Sequence, residues 1–162
     1  MQISEEAIDH LIETMDTSPD GVNRFWSHSQ SQFPELSHYI LNVDQDILTE
    51  DEYGQMLFIA MVILSAYKSV GSKSQLPDVP EKISKIEDQN WELLDNQRGD
   101  FRTKLNVFFD QYPEEDLLAF VEDLLVDDEV SEISQVGREV IFVKLKTVID
   151  FLLALNLFEK EH

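Results

Sequence analysis

The longest unbroken apolar run in the chain is Met56 to Leu64, MLFIAMVIL. A helix at the surface shows one apolar stripe, whereas a helix that is apolar all round is buried. The stretch from Thr49 to Gly71 is therefore expected to form the central helix of an all-α core. Its start is well specified. Thr49 and Glu52 have the spacing of a capping box, Leu48 and Tyr53 that of a hydrophobic staple, and Glu50, Asp51 and Glu52 place negative charge at the positive end of the helix dipole. Lys68 in the last turn and Gly71 in a left-handed conformation would close it. The apolar run is about half of the roughly 18 residues that a bilayer span requires, and its N-terminal flank is acidic, so no membrane span is expected.

The remaining periodicity predicts further helices and no strand. Ile8, Leu11, Ile12 and Met15 recur at helical spacing behind Ser4, a good N-cap. Pro19 opens a second helix carrying Val22, Phe25 and Trp26, which fades into the polar run Ser27 to Gln32. Pro34 opens a third, with Leu36, Tyr39, Ile40 and Val43 on one face. Ser72 to Pro80 reads as a linker. Beyond it, Ile83, Ile86, Leu93 and Leu94 face inward on a helix from about Glu81 to Gln97. Asp100 caps a short helix with Phe101, Leu105, Phe108 and Phe109. Pro113 opens one with Leu117, Phe120, Val121, Leu124 and Leu125. The last helix, from about Ser131 to Leu157, has apolar positions on more than one face and should touch two neighbours.

The fold class expected is thus all-α, a compact bundle of about seven to eight helices around a buried central helix at about 50–70, in a single domain of residues 1–162. Phe33-Pro34-Glu35 and Tyr112-Pro113-Glu114 each open a short helix that leads, through an acidic link, to a long hydrophobic one. That recurrence is compatible with two duplicated halves, 1–80 and 81–162. Aromatic-Pro-Glu is also simply a good helix start.

Composition changes this picture in one respect. There are 12 Lys and Arg against 33 Asp and Glu, for a net charge of −21. Residues 1–67 contain a single basic residue, Arg24, and the 14 acidic residues after position 104 face four basic ones. Such a field repels nucleic-acid phosphates and anionic lipid and attracts basic partners. The absence of cysteine excludes disulfides, thiolate metal sites and a Cys nucleophile and fits a reducing compartment. The acidic N-terminus lacks the pattern of a signal peptide, so a cytoplasmic location is expected.

Candidate chemistry is sparse. Glu35 and His38 have the i, i+3 spacing that carboxylate-bridged metal bundles use, but such sites need two such pairs and further glutamates. They are the candidate metal ligands. Asp44 and Asp46 resemble the start of a calcium loop, but Thr49 and Gln55 stand where Gly and Glu are required. The five glycines are too scattered to cradle a phosphate. Arg98, Arg102 and Lys104 lie near Trp91 and Phe101, and pairing with acidic helices is the simpler expectation for them than a nucleic acid.

The functional expectation is a non-enzymatic, acidic helical protein-protein interaction or regulatory module. It would have a basic protein partner, no cofactor, no nucleic acid and no membrane. The alternative is a helical-bundle enzyme with a carboxylate/His metal site at Glu35 and His38. A homodimer through the C-terminal helix is a further expectation. Leu153, Leu157 and Phe158 fall outside its main stripe, and Lys144, Lys146 and Lys160 would relieve repulsion between two acidic copies.

Overall fold

The computed structural model describes residues 2–43, 46–67, 77–126 and 133–161, with side chains through Leu157. Among the described residues there are eight helices and no strand. They are α1 (Glu5–Thr14), α2 (Pro19–Gln32), α3 (Pro34–Leu41), α4 (Glu50–Ala66), α5 (Val79–Asp95), α6 (Phe101–Phe109), α7 (Glu115–Val126) and α8 (Gln135–Glu161).

Local chemistry sets most helix starts. Ser4, Ser18, Thr49 and Asp100 each accept a hydrogen bond from a backbone N–H in the first turn of the helix that follows. At α4 the capping box is complete. Glu52 N–H donates to Thr49 Oγ1 at 3.1 Å, and the Glu52 carboxylate accepts from Thr49 N–H at 2.9 Å. Pro80 belongs to the first turn of α5 rather than to a linker, because a missing N–H costs nothing there. The polar run Ser27 to Gln32 continues α2, and its buried Ser29 is satisfied by Ser37 of α3 at 2.7 Å.

Two helices share the centre. α4 packs against α1, α3 and α8, and its residues Ile59 to Leu64 are all buried. It ends at Ala66, earlier than expected. Tyr67 N–H bonds the Leu64 carbonyl in a tightened turn, and the Tyr67 side chain turns inward to donate to Glu114. Lys68 and Gly71 lie outside the described residues. α8 packs against α4, α5, α6 and α7, two more neighbours than its pattern required. Every residue from Ile141 to Ile149 is buried. Ser131 also lies outside the described residues; Ser134 caps α8, accepting from Gly137 N–H at 3.0 Å.

Polar residues join these elements from inside. Glu52, 2% exposed, spans the N-terminal ends of α4 and α8: it accepts from both the N–H and the hydroxyl of Ser134 at 2.9 Å. Burial disfavours its charged form, but the hydrogen bonds from Thr49 and Ser134 outweigh this and hold the carboxyl below its usual range. Glu114, fully buried, accepts from Ile3 N–H at 2.7 Å and from Tyr67, tying the start of the chain to the end of α4.

Candidate functional site

The α5 stripe departs from the expected one. Ile83 and Leu94 are buried, but Leu93 is 36% exposed and Asn90 takes the inward position between them. Asn90 faces α8, where its amide donates to Thr147 Oγ1 and to Asp150 Oδ2, both at 3.1 Å. Lys146 completes the group, donating to Asn90 Oδ1 at 3.0 Å and to Asp150 at 2.8 Å. Its ammonium stands 5.2 Å from the ring centre of Phe108 and 4.8 Å from that of Tyr112. The Tyr112 hydroxyl donates to the other oxygen of Asp150 at 2.6 Å. Burial, then the Asp150 charge, push Tyr112 far above its usual range.

Lys144 lies two residues before Lys146, on a different face of α8. Its ammonium donates to the Tyr39 carbonyl at 2.7 Å and sits 3.6 Å from the centre of the Tyr39 ring. Burial lowers its pKa to about 8, opposed by the charge of Glu87. Tyr39 in turn donates to Glu87 at 2.6 Å, and burial followed by that hydrogen bond raises its pKa. Lys144 and Lys146 are thus 8% and 7% exposed. The expectation that they make the outer face of α8 less acidic is corrected: the helix is enclosed on all sides there, so both cations point to interior partners. Of the apolar residues behind the dimer expectation, Leu153 is packed against the core and Leu157 is 61% exposed, while the Phe158 side chain lies outside the described residues.

Tyr39 and Glu87 also reach the surface, where α3 and α5 frame a groove of about 530 Å³. α3 supplies Pro34, Glu35, His38, Tyr39 and Asn42, the spacing of a single helix face. From α5 come Pro80, Ile83, Ser84 and Glu87, one turn apart or less. Its volume is that of a ligand-sized cleft. The walls are apolar at Pro34, Pro80 and Ile83, with carboxylates from both helices.

Glu35 and His38 therefore share this groove, and both are exposed. The Asn42 side-chain amide lies 2.7 Å from His38 Nδ1 and donates to the His38 carbonyl at 3.0 Å. Among the described residues no group of three or more His, Asp or Glu side chains is arranged to hold a metal ion. Of the basic cluster Arg98, Arg102 and Lys104, the last two pair with acidic helices as expected. Arg102 meets Asp123 of α7 at 3.2 Å, and Lys104 meets Glu139 of α8 at 2.9 Å.

The groove was not readable in advance, because its walls are separated in sequence, Tyr39 and Glu87 by 48 residues, and the spacing of Glu35 and His38 says nothing of α5. The interior polar group left a trace: Lys144 and Lys146 interrupt an otherwise apolar run, and Asn90 falls on the helical repeat of Ile83, Ile86 and Leu94. Comparison with protein-family models, with curated proteins and with solved structures finds no match to this chain.

Proposed function

We propose that this chain is a non-enzymatic interaction protein whose acidic surface recruits a basic protein partner. The observation that carries the reading is where the cations go. Arg24 pairs with Asp16 at 2.9 Å, Arg102 and Lys104 pair with carboxylates of α7 and α8, and Lys144 and Lys146 point inward. Meanwhile Glu5, Glu6, Asp9, Glu13, Glu50 and Asp51 are exposed on α1 and α4. Of the 12 Lys and Arg residues, Lys144 and Lys146 are thus withdrawn from the surface of a chain whose net charge is −21. Such a field accelerates encounter with a basic surface and disfavours acidic competitors.

The test is capture of partners by the intact protein from native lysate at about 50 mM and about 500 mM salt, followed by light scattering on the purified pair. The expected result is a basic protein that forms a complex of fixed stoichiometry at low salt and dissociates at high salt. Partners that ignore salt, or associate without fixed stoichiometry, would overturn the reading. No helix among the described residues is long and apolar enough to cross a membrane.

A further inference from the structure

We propose that the α3–α5 groove is the recognition site for that partner, and that it takes an arginine-bearing segment with apolar residues beside the arginine. This rests on the reading of the protein as an acidic interaction module and gives it a place and a chemistry. Three features converge on the same cleft. Glu35 on α3 and Glu87 on α5 supply carboxylates from opposite walls. The Glu87 carboxylate is already fixed by the Tyr39 hydroxyl at 2.6 Å, so it does not have to be ordered when a ligand arrives. Pro34, Pro80 and Ile83 give an apolar lining against which the methylenes of an arginine and a neighbouring aliphatic side chain can pack.

Charge complementarity selects the occupant. A guanidinium can donate to a carboxylate in parallel pairs while its stem is buried, which suits a cleft with polar ends and apolar walls. An anionic ligand would meet both carboxylates. Lys144 is buried and is held by the Tyr39 carbonyl, so it does not offer itself to the groove. Lys82 and Lys85 of α5 are exposed but are not part of the lining. α3 also belongs to the segment before residue 68 whose one basic residue is Arg24.

The experiment is a fluorescence anisotropy titration of the full chain with a labelled peptide of about a dozen residues alternating arginine with alanine and leucine. A second peptide carries citrulline in place of arginine. Glu35→Gln with Glu87→Gln removes two charges from the groove while keeping a hydrogen-bond acceptor for Tyr39. Glu6→Gln with Glu13→Gln removes two from exposed positions of α1 and corrects for the change in net charge. Ser84→Trp fills the groove without changing charge. The expected result is binding of the arginine peptide weakened about tenfold by the groove pair and by Ser84→Trp, at most about twofold by the α1 pair, and lost with citrulline. Equal weakening by the two charge pairs, or full binding by Ser84→Trp, would overturn the groove while leaving an acidic interaction protein in place. Failure of the wild type to bind the arginine peptide at all would overturn the groove proposal, while the acidic-module reading stands or falls by the salt-dependent capture. Unchanged circular dichroism shows that each variant is folded.

Discussion

Lys144 is the residue at which burial and charge conflict most openly. Its ammonium has a carbonyl and an aromatic face but, among the described residues, no carboxylate in direct contact, and burial lowers its pKa from 10.5 to about 8. The sign of the consequence follows from proton counts. Below about pH 8 both the folded and unfolded chains hold the proton, and the folded state bears the full cost of desolvating it. Between about pH 8 and 10.5 the unfolded chain binds more protons, so stability rises with pH. Tyr39, Tyr67 and Tyr112 act oppositely. Burial is the largest cause of each upward shift, so above pH 10 the unfolded tyrosines ionise first and stability falls. Urea unfolding from pH 7.5 to 10 is expected to show a rise in the wild type that Lys144→Met lacks. The same rise in both proteins would rule out Lys144 as its source.

Among the elements, the junction of α4 with α8 shows how a polar contact restricts a helix sequence. A glycine inside a helix costs about 0.5–1 kcal/mol relative to alanine. Gly137 lies in the first turn of α8, where a Cβ would collide with the carboxylate of Glu52, its Cδ lying 2.8 Å away, and crowd Ser134 Oγ at 2.9 Å. The glycine is therefore the condition for Glu52 to cap both helices. Gly137→Ala is expected to destabilise by about 1–3 kcal/mol rather than stabilise. Glu52→Ala should cost about 2 kcal/mol or more through its lost hydrogen bonds. In the Glu52→Ala background the Gly137 substitution should cost less, because the collision with the carboxylate is removed and only the crowding of Ser134 Oγ at 2.9 Å remains. A double-mutant cycle from chemical unfolding measures this, and additive losses would refute the coupling. The box Thr49-x-x-Glu52 was legible from spacing alone. The second task of Glu52 was not, since Ser134 is 82 residues away and only packing brings it there.

For the whole molecule, net charge is the dominant long-range term. A charge of −21 repels itself in the compact state, and salt screens that repulsion over about 10 Å at 0.1 M. The surface ion pairs of Arg24 and Arg102 are exposed and contribute little that screening could remove. Raising salt from about 20 to about 200 mM is therefore expected to raise Tm by about 2–5 °C. A fall in Tm would mean that local ion pairs outweigh global repulsion. The same charge opposes self-association through α8, and with Lys144 and Lys146 inside there is less on that helix to offset it than its sequence implied.

Periodicity, caps and the unbroken run at Met56 to Leu64 determined the all-α class, most helix starts and the burial of α4. These are local properties: a first turn needs its acceptor, and an apolar circumference needs covering, whatever the rest of the chain does. The burial of Lys144 and Lys146, the turn of Asn90 toward α8, and the sharing of one groove by Glu35 and Glu87 were decided by tertiary structure alone. A lysine in an apolar run is compatible with a surface stripe or with an interior partner, and the choice depends on whether α5 and α3 arrive with Asn90 and the Tyr39 carbonyl. A groove between two helices likewise belongs to neither sequence segment, because its walls exist only once α3 and α5 are packed side by side.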